Sequence, residues 1–256
     1  MDDYAYFVDH IKNITGIDLS FYKEQQMRRR LLSLSNKHGC RNLVGFSKAI
    51  EKSPELLEKF LNHMTINVSE FFRNQNHWKI LEEMIAKGAL NKNKLKVWSA
   101  ACSTGEEPYS LGILLSKYLN PSDLSILATD IDQTVLNKAK VGTYHKNSLE
   151  GLDSKLIDKY FHKGERDFYE LNKKIKQLVT FKKGDLLTDR FQKNFDLIVC
   201  RNVMIYFNED AKNHLYQKFS QSLTKGGVLF VGSTEQLFNP AQYGLKSVSS
   251  FFYQKI

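Results

Sequence analysis

The sequence predicts an α/β protein in two parts, a small all-helical N-terminal region followed by a doubly wound, mostly parallel sheet that carries a small antiparallel insert. Three observations predict it. Apolar residues recur at helical spacing up to Met64, short β-rich runs alternate with helical ones after Arg73, and one stretch near residues 144–181 breaks that alternation. With 256 residues, 42% of them hydrophobic, the chain is long enough and apolar enough to bury a full core.

In chain order, Tyr4, Phe7, Val8 and Ile11 line one helical face, and Leu31, Leu32 and Leu34 another. A further helix over Leu56–Met64 leads into TINVSEFFR, Thr65–Arg73, whose Asn, Ser and β-branched residues favour a non-helical connection. The expected division is therefore residues 1–70 and 71–256. Strands are expected in LKVWSA from Leu95, LSILAT from Leu124, LVTF from Leu178, FDLIVC from Phe195 and GVLFVG from Gly227. Helices are expected between them at Pro108–Leu119, Asp132–Val141 and Asp210–Leu223. The tail SVSSFFYQKI reads as an antiparallel hairpin edge, and Phe168–Leu171 with Ile175–Thr180 as the antiparallel insert.

Composition excludes several function classes. No window approaches the roughly 18 apolar residues of a membrane span, and the start MDDYAYFVDH is acidic where a signal peptide is basic, so a cytoplasmic protein without direct membrane insertion is expected. Cys40, Cys102 and Cys200 are far apart and form no CxxC or Cys/His grouping, so buried free thiols are expected and no metal site. The net charge of +9 is concentrated. Tyr22–Arg41 holds six bases against Glu24 and nets +5, and Lys155–Lys183 holds nine bases against four acids and also nets +5, so two stretches carry the excess. Each is either a docking place for an acidic macromolecule or a solvated face.

The chemistry is read at strand ends, where ligands of doubly wound sheets bind. LKVWSA runs into ACSTGEEPYS, in which Pro108 suits a first helical turn and Ser103 with Glu106 has capping-box spacing. This loop has one glycine, Gly105, and two carboxylates, Glu106 and Glu107, so it is a poor cradle for pyrophosphate and suits a positively charged cofactor without phosphates. The second strand ends in LATDID, which places Asp130 near the offset at which an acid meets ribose hydroxyls. Glycine loop and ribose acid together point to a nucleoside cofactor, S-adenosylmethionine being the common one with an ammonium, a sulfonium and no phosphate. Asp185 in KKGDLL, after the third run, is placed to hold the adenine. Each signal alone is weak, since an acid after a strand is more often a helix cap; their order and spacing carry the reading.

The segments YKEQQMRRRL, NVSEFFR, VWSAACSTGEEPYS, ATDID, FDLIVCRNVMIYF and GGVLFVGSTE resemble the chemotaxis receptor glutamate methyltransferases of the CheR family, over almost the whole chain. The resemblance implies a helical domain joined to a class I, Rossmann-like methyltransferase sheet with a small β-subdomain at about 144–181. It implies cofactor contacts at Asn67, Ser69, Arg73, Glu107, Asp130, Asp185, Leu186, Arg201 and Asn202, with S-adenosylhomocysteine as the product left behind. The implied substrate is glutamate on the helical bundles of chemoreceptors, converted to γ-glutamyl methyl ester. Receptor docking would use the basic helix at Arg28, Arg29 and Arg30 together with the insert. The insert around Gly164–Asp167 looks short against relatives that hold a C-terminal receptor pentapeptide, so tail tethering is not expected.

A glutamate acceptor is already anionic at cytoplasmic pH, with an ordinary pKa of about 4.3, which explains why no Ser/His/Asp or Cys/His set is visible. Arg73 is expected to orient the acceptor carboxylate, the alternatives being a structural ion pair or a contact to the cofactor's own carboxylate. Tyr206 is expected to line the methyl channel, with a core aromatic as its alternative. Cys200 ends an apolar strand and reads as core. Two rival functions remain. A nucleic-acid methyltransferase is disfavoured because no (D/N)PPY-like motif is present, and a non-catalytic cofactor-binding regulator docking on acidic coiled coils ranks third.

Overall fold

The structure is a computed structural model that describes residues 2–65, 67–90 and 93–256. Its elements run α1 (Asp3–Thr15), α2 (Glu24–Lys37), α3 (Leu43–Lys52), α4 (Pro54–Met64), α5 (Gln75–Ala86), β1 (Leu95–Ala100), α6 (Glu106–Leu115), β2 (Leu124–Asp130), α7 (Gln133–Val141), β3 (Thr143–His145), α8 (Ser154–Tyr160), β4 (Phe161–Lys163), β5 (Phe168–Leu171), α9 (Lys173–Lys176), β6 (Val179–Lys183), β7 (Phe195–Cys200), α10 (Glu209–Ser222), β8 (Leu223–Val231), β9 (Leu245–Ser249) and β10 (Phe252–Lys255). They form two compact units, Met1–Asn67 with Met204–Leu215, and Val68–Val203 with Tyr216–Ile256.

In the helical unit, local sequence fixes the ends of the helices. Gly16, at φ 77°, closes α1 in the left-handed conformation that glycine adopts at no steric cost. Asn42 and Ser53 cap α3 and α4, their side-chain oxygens accepting from the N–H groups of Gly45 (2.8 Å) and Leu56 (3.2 Å), and Pro54 opens α4 where its missing N–H costs nothing. The apolar stripes of α1, α3 and α4 then meet in an aromatic core. Phe7 stacks on Phe46 at 5.9 Å and meets Phe60 edge-on at 5.9 Å.

In the second unit the strands pair in the order β6-β2-β1-β7-β8-β10-β9. The first five are parallel to their neighbours, so β7, FDLIVC, is buried at all six positions, the pattern of a strand covered on both faces. Val97, Ile126, Leu197 and Val199 face one core together with Trp78 and Leu81 of α5 and Leu111 of α6. On the other face Trp98 packs against Phe191, Phe195 and Phe219. The chain leaves β1 for β2 on one side and reaches β7 on the other, so β1 and β7 flank the topological switch point.

Three local expectations are corrected. The tail does form a hairpin, but its last strand is not the edge: β10 lies antiparallel between β8 and β9, where Phe252 stacks on Phe230 at 4.3 Å and is wholly buried. The capping box at Ser103 and Glu106 does not form. Gly105 is the N-cap, at φ 97°, and the Ser103 N–H is spent on Asp130. A side chain at position 105 would sit 2.9 Å from the Ala139 Cβ and 3.0 Å from the Tyr144 hydroxyl, so the helix start is packed too closely for any residue but glycine. The stretch between α7 and β6 contains an antiparallel sheet of order β3-β5-β4, with the β4–β5 hairpin closing over Gly164–Asp167. Of the expected insert, Phe168–Leu171 is its central strand, but Ile175–Thr180 is not part of it: Ile175 lies in α9, and Val179 and Thr180 begin β6, which joins the main sheet parallel to β2.

Candidate active site

The strand ends of β6, β2, β1 and β7 lie side by side, since Asp130 is in register with Lys183, Ala100 with Thr129, and Ala100 with Cys200. At about 4.8 Å per strand gap, a ligand laid across all four ends spans roughly 14 Å. Asp185, Asp130, Glu107 and the Arg201–Asn202 pair follow these ends in that order. Backbone strain gathers in the same loops: Ala101, Ser103 and Asn202 have φ of 65°, 49° and 61°, and Phe72 and Asn74, before α5, have 51° and 61°. A left-handed Phe is an outlier that only over-determined surroundings hold, and such strain clusters where ligands are gripped.

Arg201 organises the centre. Its side chain is only 2% exposed and stands 3.6 Å from Glu107 through Nη1, while Nη2 donates to the Arg73 carbonyl (2.8 Å) and to Asn74 Oδ1 (3.0 Å). The guanidinium lies over Phe230 at 4.8 Å and Trp78 at 5.8 Å. Among the described residues its buried Nε–H has no hydrogen-bond partner, which leaves one donor unsatisfied at this site. The Arg73 carbonyl also accepts from Trp78 Nε1 (3.0 Å), so this loop is fastened through its backbone. The half-buried Arg73 guanidinium donates to the Val68 carbonyl (3.0 Å) and exerts its charge on Glu107.

Three buried or largely buried carboxylates lie in these loops, and Glu107 is the one paired with this cation. Glu107 accepts from the Ser99 hydroxyl (2.8 Å), and Glu106 takes a different set of partners, Thr104 Oγ1 (2.7 Å) and the Ser69 hydroxyl. Asp130 accepts from the backbone N–H of Ser103 (2.8 Å) on one oxygen and of Asp132 (3.0 Å) on the other, so it also knits the β1 and β2 loops together. Burial pushes all three carboxyls up, opposed at Glu107 by Arg201, at Glu106 by its hydroxyl partners and at Asp130 by the two N–H groups. Asp185 forms a tight turn, accepting from the Leu187 N–H (2.8 Å) and the Thr188 hydroxyl (3.0 Å). The carbonyl of buried Leu186 accepts from Lys218 Nζ (2.9 Å). A cluster with three carboxyls held up by burial and one orphaned guanidinium N–H fits a ligand bearing both a positive centre and a carboxylate, and it offers no glycine-rich cradle for diphosphate.

Asn67 and Tyr206 belong to the helical unit. Asn67 Nδ2 donates to Thr65 Oγ1 (3.0 Å), and the Tyr206 ring lies beneath the Arg30 guanidinium at 5.8 Å. The three arginines of α2 separate, because successive helical residues point about 100° apart. Arg28 pairs with Asp2 (2.9 Å) and Asp3 (2.7 Å), Arg30 is half-buried and donates to the His63 carbonyl, and Arg29 is exposed. The free-thiol expectation needs one adjustment: Cys102 and Cys200 are buried, with burial pushing both thiols up, but Cys40 is half-exposed. Among the described residues no helix is long and apolar enough to cross a membrane, and no group of three or more His, Cys, Asp or Glu is placed to hold a metal. Sequence reading singled out neither Ser99, whose partner Glu107 lies in the next element, nor Asn74 and Glu235, whose partners Arg201 and Asn202 lie far along the chain. The only available signal was that Glu235 ends the motif GGVLFVGSTE.

Comparison with known proteins finds two matching family profiles and several similar chains. The sequence profile described as "CheR methyltransferase, SAM binding domain" matches residues 67–251, and that described as "CheR methyltransferase, all-alpha domain" matches residues 2–65. A chemotaxis protein methyltransferase of Listeria innocua is 44% identical over 256 residues, covering 99% of this chain and 97% of the relative. The protein of the same name from Borreliella burgdorferi is 35% identical over 92% of this chain and 88% of its own, and that of Salmonella typhimurium is 32% identical over 88% and 80%.

Proposed function

The chain belongs to the CheR methyltransferase family, and on that premise we propose that its strand-end crevice delivers the methyl group of S-adenosylmethionine to glutamate side chains on the helical bundles of chemoreceptors, forming γ-glutamyl methyl esters in the cytoplasm. As a member of that family it is an S-adenosylmethionine-dependent methyltransferase of chemotaxis. The loop 101–107 carries the reading: one glycine, buried Glu106, largely buried Glu107, and beside Glu107 an Arg201 whose Nε–H has no partner among the described residues. We assign Glu107, Asp130 and Ser69 to the cationic and ribose portions of the donor, Asp185 with Leu186 to its adenine, and Arg201 with Asn202 to its carboxylate end.

When bound, the donor supplies an electrophilic methyl group on a sulfonium that leaves as a neutral thioether. The acceptor carboxylate oxygen forms the new O–CH3 bond as the C–S bond breaks and its electron pair stays on sulfur, and no proton moves, so the chain needs no general base. Its residues contribute by placement, which supplies of the order of 7–11 kcal/mol when reacting atoms are held in line. In this reading Arg73 orients the acceptor, its guanidinium being the half-buried cation beside Glu107. The test is incubation with methyl-labelled donor and a chemoreceptor cytoplasmic fragment. Label released by alkali as methanol is expected, and label that stays alkali-stable, or that enters nucleic acid instead, contradicts the reading.

The raised carboxyls give the donor site a pH signature. Because their folded pKa lies above the ordinary value near 4.5, they bind protons in the folded state, so the stability they contribute is present at low pH and lost as pH rises through the raised range. A cationic ligand favours the ionised carboxylates, so its binding strengthens over that same rise. Calorimetric titrations between about pH 8 and about pH 5 should therefore show affinity for the sulfonium donor falling more steeply with acid than affinity for its neutral thioether product. Parallel slopes would contradict the assignment of Glu107 to the cationic portion of the donor.

For receptor docking, Arg29 is the member of the triplet whose side chain is exposed to solvent. Arg29→Glu should raise KM for the receptor fragment by at least about threefold, an effect that fades with added salt, while affinity for the demethylated product is unchanged. An unchanged KM removes Arg29 from the docking surface.

A further inference from the structure

We propose that Glu235, in the loop after β8, is a positioning residue that fixes the turn Arg201–Asn202 toward the methyl donor, an inference that rests on the donor site assigned above. Glu235 is 3% exposed. A single oxygen, Oε2, accepts from the N–H of Asn202 (2.7 Å) and the N–H of Gly232 (2.9 Å). The last rungs between β7 and β8 pair Cys200 with Val231, so this carboxylate continues the ladder just beyond its end and ties the two loops that leave it. Asn202 is held at φ 61°, a conformation that costs a non-glycine residue free energy and persists only when its neighbours enforce it. Gly232 shows how closely the carboxylate is seated: a Cβ there would lie 2.3 Å from Glu235 Oε2 and 3.0 Å from the Asn202 nitrogen. The loop is itself anchored, the Glu235 N–H donating to the Gly232 carbonyl (3.0 Å) and the Tyr216 hydroxyl to the Glu235 carbonyl (3.3 Å). Glu235 therefore acts on the donor through Asn202 and Arg201.

Two roles are physically distinct. As a positioning acceptor, Glu235 matters through the reach of its oxygen; as a counter-charge to Arg201, it matters through its sign. Glu235→Gln keeps an acceptor oxygen at the same reach and loses the charge, whereas Glu235→Asp keeps the charge and withdraws the oxygen by about 1.5 Å. Calorimetry with S-adenosylhomocysteine on the full chain, folding checked by thermal melting, should find Glu235→Gln within about threefold of wild type and Glu235→Asp at least about tenfold weaker. At saturating donor, kcat of Glu235→Asp should stay within about threefold, because the residue sets donor binding and not the methyl transfer itself. The opposite order, with Gln weaker than Asp, or an Asp variant that binds like wild type, overturns the proposal. Should the Asp variant fail to fold, a tenfold loss in the Gln variant alone overturns it and retention supports it. Wild-type protein that binds no product refutes the donor site, an outcome distinct from failure of the Glu235 proposal.

Discussion

Arg201→Met should abolish binding of S-adenosylhomocysteine and destabilise the protein by about 3–5 kcal/mol, the cost of removing one partner of a buried ion pair. The side chain lost is 2% exposed, and its loss leaves the largely buried carboxylate of Glu107 without its cation and frees the Arg73 carbonyl and Asn74 Oδ1 from their donor. For a chain of this size that corresponds to a fall in Tm of roughly 6–20 °C. Adding Glu107→Gln should restore most of the stability, because charge and counter-charge then leave together and the amide oxygen still accepts from Ser99. Product binding should stay absent in the double variant, since the orphaned Nε–H and the carboxylate are both gone. Recovery of binding together with stability would mean that Arg201 serves the fold alone.

Arg73→Ala should lower kcat by at least about 100-fold, equivalent to about 2.7 kcal/mol of transition-state stabilisation, while affinity for S-adenosylhomocysteine stays near wild type. The backbone makes this separation possible. Arg73 anchors its loop through a carbonyl that accepts from Arg201 and Trp78, and alanine keeps that carbonyl, so the variant deletes a guanidinium that donates to the Val68 carbonyl. Loss of product affinity would instead assign Arg73 to the donor's carboxylate.

The sheet was readable because its strands are short β-rich runs bounded by breakers, and the nearly continuous apolar run FDLIVC matches the strand that the structure buries at all six positions. The acidic, single-glycine loop was readable because the chemistry of a loop of seven residues is local. What escaped the sequence is non-local or directional. Strand β10 slips between β8 and β9 because Phe252 finds Phe230, a pairing that no periodicity specifies. Ser103 loses its capping role because a carboxylate 27 residues away claims its N–H. Met204–Leu215 packs with the helical unit although RNVMIYF continues unbroken from an apolar strand. Three consecutive arginines read as one basic patch in sequence, yet the helix sends one to Asp2 and Asp3, one to solvent and one over Tyr206. Arg201 reaches Arg73 across 128 residues, and Glu235 reaches Asn202 across 33, so the polar core of the crevice is visible only after folding.

Carboxylates held up by burial, one of them paired with a guanidinium that has an unused donor, are expected to select a cationic adenosyl ligand over a diphosphate. Isothermal titration of the full chain with S-adenosylmethionine, S-adenosylhomocysteine and a nicotinamide dinucleotide tests it most directly. Saturable heat with both adenosyl ligands and none with the dinucleotide is the expected result; heat with the dinucleotide and none with either adenosyl ligand would contradict it.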